Sequence, residues 1–162
     1  MTHVFLGLGS NLEREKNIRA GLAALESLFG ELVLSKVYES ESVGFKGSHF
    51  YNMVVSLKTD LSIACLSEAL KKIEDDHGRV RTGPKYSPRT LDIDILTYGD
   101  FVGVEAGIEL PRAEITQNAF VLLPLSEIAP QKLHPQLKKS YADLWQAYDQ
   151  GCQALWPISL PS

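Results

Sequence analysis

Residues 90–96 read Thr-Leu-Asp-Ile-Asp-Ile-Leu, a strict two-residue alternation that predicts a strand with two unlike faces. Leu91, Ile93 and Ile95 turn to a core, and Asp92 and Asp94 turn together to the other side. Two carboxylates on one face repel each other, so the arrangement is unfavourable unless a cation or basic groups lie nearby. The rest of the chain must therefore supply a sheet, a layer of helices for the apolar face, and a reason for the acidic one.

The other periodic segments meet the first two needs. Residues 2–8 are β-rich and end in Gly7-Leu8-Gly9-Ser10-Asn11, after which Ile18, Leu22, Leu25, Leu28 and Phe29 recur at helical spacing. Residues 32–38, alternating around Val33 and Val37, and 51–57 read as strands joined by a long loop with Gly44, Gly47 and Ser48. Residues 63–77 set Leu66, Ala69, Leu70 and Ile73 on one helical face, with Gly78 as the stop. Strand 90–96 then closes at Tyr98-Gly99-Asp100. Segment 119–128 is apolar and fits helix or strand, with Thr116 as its entry cap and Pro130 at its end; 141–148 is helical, with Leu144 and Trp145 as its apolar contacts.

The order β-α-β-β-α-β followed by helices predicts an α+β, ferredoxin-like sandwich with a mainly antiparallel sheet and added C-terminal helices. With 162 residues, 44% of them hydrophobic, the chain suits a single domain, 1–162. A net charge of −4 argues against a general nucleic-acid binder. The N-terminus shows no basic region followed by a long apolar one, and no stretch nears the roughly 18 apolar residues of a membrane span, so a cytosolic protein is expected. Cys65 and Cys152 are expected to be reduced thiols.

The acidic face has a basic neighbour. Arg79, Arg81, Lys85 and Arg89 lie just upstream, in a loop that Gly83, Pro84 and Pro88 keep from becoming helix. Mg²⁺ takes hard oxygen ligands, commonly one or two carboxylates with phosphate oxygens, and guanidinium groups grip phosphate with paired donors. The pattern favours phosphoryl transfer. On pattern alone an ordinary salt-bridged surface, two Asp residues balanced by nearby Arg, carries about equal weight. Gly7-Leu8-Gly9-Ser10-Asn11-Leu12 lacks the third glycine of a dinucleotide fingerprint, and nothing matches a Walker A loop. Those glycines read as room for packing the first strand on its helix rather than as a phosphate cradle.

Leu8-Gly9-Ser10-Asn11-Leu12, Phe50-Tyr51-Asn52, the run from Ser87-Pro88-Arg89 through Ile95-Leu96, and Phe120-Val121-Leu122-Leu123-Pro124-Leu125 together resemble the 6-hydroxymethyl-7,8-dihydropterin pyrophosphokinase family, in order and separation, over about residues 4–130. The resemblance implies an enzyme of folate synthesis that takes ATP and the pterin as its small-molecule substrates and uses Mg²⁺; a monomer with no nucleic-acid or membrane partner is expected. It implies that Asp92 and Asp94 hold the metal. Arg79 and Arg89 would then grip phosphate, and Arg81, Lys85 and Tyr86 would close over ATP, with Glu74 near the nucleotide. On the pterin side, Asn52 would read the ring edge, Phe50 and Phe120 would sandwich the ring, and Val43 would line the same pocket. Stacking of this kind contributes roughly 0.5–1.5 kcal/mol per aromatic pair beyond area burial, and an amide can donate and accept together. Without the resemblance, Phe50 and Phe120 read as core residues and Asn52 as a strand-edge polar group. No side chain stands out as a general base.

The chain departs from the family pattern after Leu110-Pro111. A histidine is usual where Arg112 stands, an arginine where Asn118 stands, and an aromatic where Ala113 stands. Arg112 is expected to contact ATP in the histidine's place. The alternative is a divergent homologue that binds pterin and transfers weakly or not at all. A ferredoxin-like RNA-binding module is a third possibility, but the aromatic and basic strand signature of such modules is missing.

Overall fold

A computed structural model of the chain describes residues 1–10, 13–40, 50–76, 91–148 and 155–158. The main sheet has six strands: β1 (Thr2–Ser10), β2 (Val33–Leu34), β3 (Val37–Ser40), β4 (Phe50–Thr59), β5 (Asp92–Tyr98) and, near the C-terminus, β8 (Leu155–Ile158). Their order is β5-β1-β4-β3-β8, with β2 also on β4, and every pairing is antiparallel. The expected mixed sandwich with an antiparallel sheet is what forms.

Alternation along β1 explains why both faces are covered. Val4, Leu6 and Leu8 turn to one side, where they pack with Ile18 and Leu25 of α1 (Arg14–Phe29) and Leu66, Leu70 and Ile73 of α2 (Ile63–Asp76). Leu91, Ile93 and Ile95 join that cluster, as their period requires. Phe5 turns the other way, onto Val121, Leu122 and Leu125 of α4 (Ala119–Ile128) and Tyr141 of α5 (Tyr141–Ala147). Truncating a fully buried residue such as Leu66 should cost about 2–5 kcal/mol.

Several local expectations change. The strand at 32–38 is broken: Ser35 interrupts it, its N–H donating to the Val54 carbonyl at 3.0 Å and its Oγ accepting from Val54 N–H at 2.9 Å, so Val33 ends 49% exposed while Val37 is buried. Segment 119–128 is a helix with Pro124 inside it, and Thr116 does not cap it. Thr116 lies within the short α3 (Glu114–Gln117), where its hydroxyl donates back to the Ala113 carbonyl at 3.3 Å. In α5, Tyr141 is the deepest contact, with Leu144 and Trp145 packing beside it. A small hairpin, β6 (Gly103–Glu105) and β7 (Ile108–Leu110), was not expected; Ala106 and Gly107 turn it with φ of 53° and 75°. Gly78 and Cys152 lie outside the described residues, and Cys65 is an exposed thiol.

Candidate active site

The register of three adjacent strands builds the site. Asn52 of β4 and Asp92 of β5 both pair with Gly9, and one row further along β1 Val54 and Asp94 both pair with Gly7. Directly paired residues share a face of the sheet. Asn52, Asp92, Val54 and Asp94 therefore stand on the same side, the side of α4, with the two glycines between them. The sequence reading gave these glycines to packing against α1, and the structure corrects it. A Cβ on Gly9 would meet Asn52 Oδ1 at 2.9 Å, and one on Gly7 would meet Leu96 at 3.5 Å, both on the face away from α1. Close strand-to-helix packing comes instead from Gly21 in α1, whose absent side chain makes room for Leu91 and Leu8.

Asp92 and Asp94 are half-buried neighbours on this face, as their alternation predicts. Asp94 is pushed up to about 7, first by burial and then by the charge of Asp92, with Glu74 and Glu114 adding to the effect and Arg112 opposing it.

β5 is an edge strand, and two charged side chains occupy its free side. The Ile93 N–H donates to Glu74 Oε2 at 2.7 Å, and Arg112 Nε donates to the Ile95 carbonyl at 3.2 Å. Glu74 is only 4% exposed, and it braces the strand that carries the acidic pair. Arg112 also reaches Asp94, Nη2 to Oδ1 at 3.2 Å. Part of the salt-bridged-surface reading is thus correct. Asp94 stays raised even with the guanidinium in contact, because burial and the neighbouring carboxylates outweigh it. Glu74, Asp92, Asp94 and Arg112 line a cavity of about 220 Å³ between α2, β5 and the β6–β7 hairpin.

The residues expected on the pterin side are also near one another. Asn52 is 8% exposed, and Phe50 opens β4 within van der Waals reach of the same Gly9 position, 3.9 Å from where its Cβ would be. Phe120, the second residue of α4, is partly buried on the cluster that covers this face. Val43, Arg79, Arg81, Lys85, Tyr86 and Arg89 lie outside the described residues. Sequence reasoning missed Gly9 as a contact of Asn52; the signal was a glycine on a strand interior, which often marks close approach. Among the described residues, no group of three or more His, Cys, Asp and Glu side chains could hold a metal. A divalent ion on Asp92 and Asp94 would need further oxygens from a substrate, which suits Mg²⁺ bound with phosphates.

Comparison with known proteins bears on the same region. The family model described as 7,8-dihydro-6-hydroxymethylpterin-pyrophosphokinase matches residues 5–130. A 2-amino-4-hydroxy-6-hydroxymethyldihydropteridine pyrophosphokinase from Porphyromonas gingivalis is 39% identical over 142 residues, covering 84% of this chain and 96% of its own. The Synechocystis protein of that name is 34% identical over 157 residues, covering 95% of this chain and 79% of its own. Among solved structures, the wild-type Plasmodium falciparum HPPK-DHPS superposes with a TM-score of 0.70 at 16% identity, over 90% of this chain. This chain spans 44% of that longer one, and at such identity the likeness concerns the fold.

Proposed function

Because the chain belongs to the 7,8-dihydro-6-hydroxymethylpterin-pyrophosphokinase family, and is a pyrophosphokinase of folate biosynthesis, we propose that it performs its transfer on the sheet face shared by Asn52, Asp92 and Asp94. The reaction moves pyrophosphate from ATP to the hydroxymethyl arm of 6-hydroxymethyl-7,8-dihydropterin. The arm's oxygen bonds to the β-phosphorus, the bond from that phosphorus to the α-phosphate oxygen breaks, AMP leaves, and the hydroxyl proton passes to solvent.

The observation that carries this placement is the pair of rows across β1: a buried amide on one side of Gly9 and Gly7, two carboxylates on the other. Asp92 and Asp94 would hold Mg²⁺. The donor set fits, since two hard oxygen side chains stand together and burial with like charge raises Asp94, a penalty that a divalent cation would offset. When bound, the metal would neutralise charge on the triphosphate. Asn52, with one acceptor and two donors, would read the pterin edge, and Phe50 and Phe120 would hold the ring in place. Arg79 and Arg89 would grip phosphate, with Arg81, Lys85 and Tyr86 closing over ATP; the basis for these five, and for Val43 at the pterin, is the sequence resemblance. Catalysis on this reading comes from positioning and charge neutralisation.

We also propose that the whole chain, 1–162, acts as one domain and as a monomer in the cytosol. Among the described residues, no helix is long and apolar enough to cross a membrane.

The test is direct. Incubated with ATP, Mg²⁺ and the hydroxymethyl dihydropterin, the protein should release AMP in step with pterin pyrophosphate. Asp92→Ala and Asp94→Ala should each fold and lose about a hundredfold or more in turnover, the scale of removing a main charge-stabilising group. Full turnover in both folded variants would refute the placement.

A further inference from the structure

Arg112 bears on how the divalent ion reaches the site, an inference that rests on the metal placement just given. Its guanidinium is held at two points, Nε on the Ile95 carbonyl and Nη2 on Asp94 Oδ1, both at 3.2 Å. Its backbone is held as well, the N–H donating to the Leu96 carbonyl at 2.9 Å. An arginine fixed this way is part of the strand edge rather than a free surface charge. Asp94 is also acted on by Asp92, Glu74 and Glu114, all of like sign, and among the described residues Arg112 is the cation that opposes them.

We propose that Arg112 is a built-in counter-ion that occupies Asp94 until nucleotide arrives, so that the divalent ion enters with the nucleotide rather than ahead of it. A bare ion approaching alone must displace the guanidinium and shed tightly held water, and it gains at most two carboxylates in exchange. Metal bound to a polyphosphate brings oxygens for its own shell. The same oxygens offer paired acceptors to the displaced guanidinium, whose planar fork donates two N–H bonds at once. Nucleotide therefore removes the obstacle that the free ion meets.

The experiment titrates the full chain with Mn²⁺ at pH 8 without nucleotide, reading free Mn²⁺ by electron paramagnetic resonance. Wild type should bind weakly, and Arg112→Gln should bind about tenfold more tightly. Arg112→His, shorter and uncharged at this pH, should behave like Arg112→Gln and guards against a folding defect peculiar to one variant. Adding Asp94→Asn to Arg112→Gln should abolish the gain. Equal affinity in wild type and both single variants would overturn the inference, as would a gain that survives Asp94→Asn. A separate arm adds a non-hydrolysable ATP analogue: Mn²⁺ binding there that ignores Asp92→Asn and Asp94→Asn would overturn the metal placement itself.

Discussion

Asn52 and Asp92 pair with the same residue, Gly9, from opposite sides of β1. Two strand spacings, roughly 9–10 Å, separate them, with no side chain between. A ring read by Asn52 and a phosphate held near Asp92 would thus share one row of the sheet, and a hydroxymethyl arm extending along the row would point from one to the other. The strand register, rather than a flexible loop, sets that span.

Gly9 is accordingly expected to be intolerant of even one carbon. A Cβ there would stand 2.9 Å from Asn52 Oδ1, closer than such atoms approach, and the amide would have to shift. Gly9→Ala should raise KM for the pterin about tenfold while KM for ATP changes less than twofold, the cost of misplacing one hydrogen-bonding group. Steady-state kinetics with each substrate varied in turn decide it. Equal effects on the two substrates would mean general distortion of the sheet.

Asp94 gives the metal-free protein a pH-dependent stability with a defined sign. Its carboxyl goes from an ordinary 3.8 to about 7 on folding, so between these values the folded state binds the proton and the unfolded state does not. This group's contribution to stability is therefore intact below about pH 4 and is lost as pH rises towards 7. Asp94→Asn should match wild type at pH 4 and melt higher at pH 8. Parallel melting curves across the range would contradict the assignment.

Glu74 is expected to act on stability first. It accepts the Ile93 N–H at the buried edge of β5, so Glu74→Ala should cost about 1–3 kcal/mol, the penalty for an unsatisfied buried donor. Glu74→Gln keeps an acceptor and should cost less. Urea unfolding separates the two, and a Gln variant as damaged as the Ala variant would show that the charge, not the bond, is what matters.

How far the sequence spoke depended on whether a feature is periodic. Leu91, Asp92, Ile93, Asp94 and Ile95 alternate, and from that alone both the buried stripe and the paired carboxylates could be read. Leu66, Leu70 and Ile73 likewise declared their helix face. What stayed hidden depends on tertiary contact or on weak turn chemistry. The β6–β7 hairpin turns on Ala106-Gly107, not on the Asn-Gly or Asp-Gly that usually announces such a turn. Ser35 breaks its strand through a side-chain bond to Val54, which no propensity encodes. Glu74 was expected only as a neighbour of the nucleotide, and its bond to the Ile93 N–H needed the fold. Arg112 looked like a substituted ATP contact, and its pairing with Asp94 needed the fold.

The metal's position tests the account most directly. Crystals grown with Mn²⁺ and a non-hydrolysable ATP analogue, measured at the manganese absorption edge, locate the ion without reference to activity. The account predicts anomalous density in direct coordination with Asp92 and Asp94, at about 2.1 Å if Mn²⁺ keeps the ligand distances of Mg²⁺, with the remaining ligands from phosphate and water. Density elsewhere, with Asp94 still paired to Arg112, would contradict it.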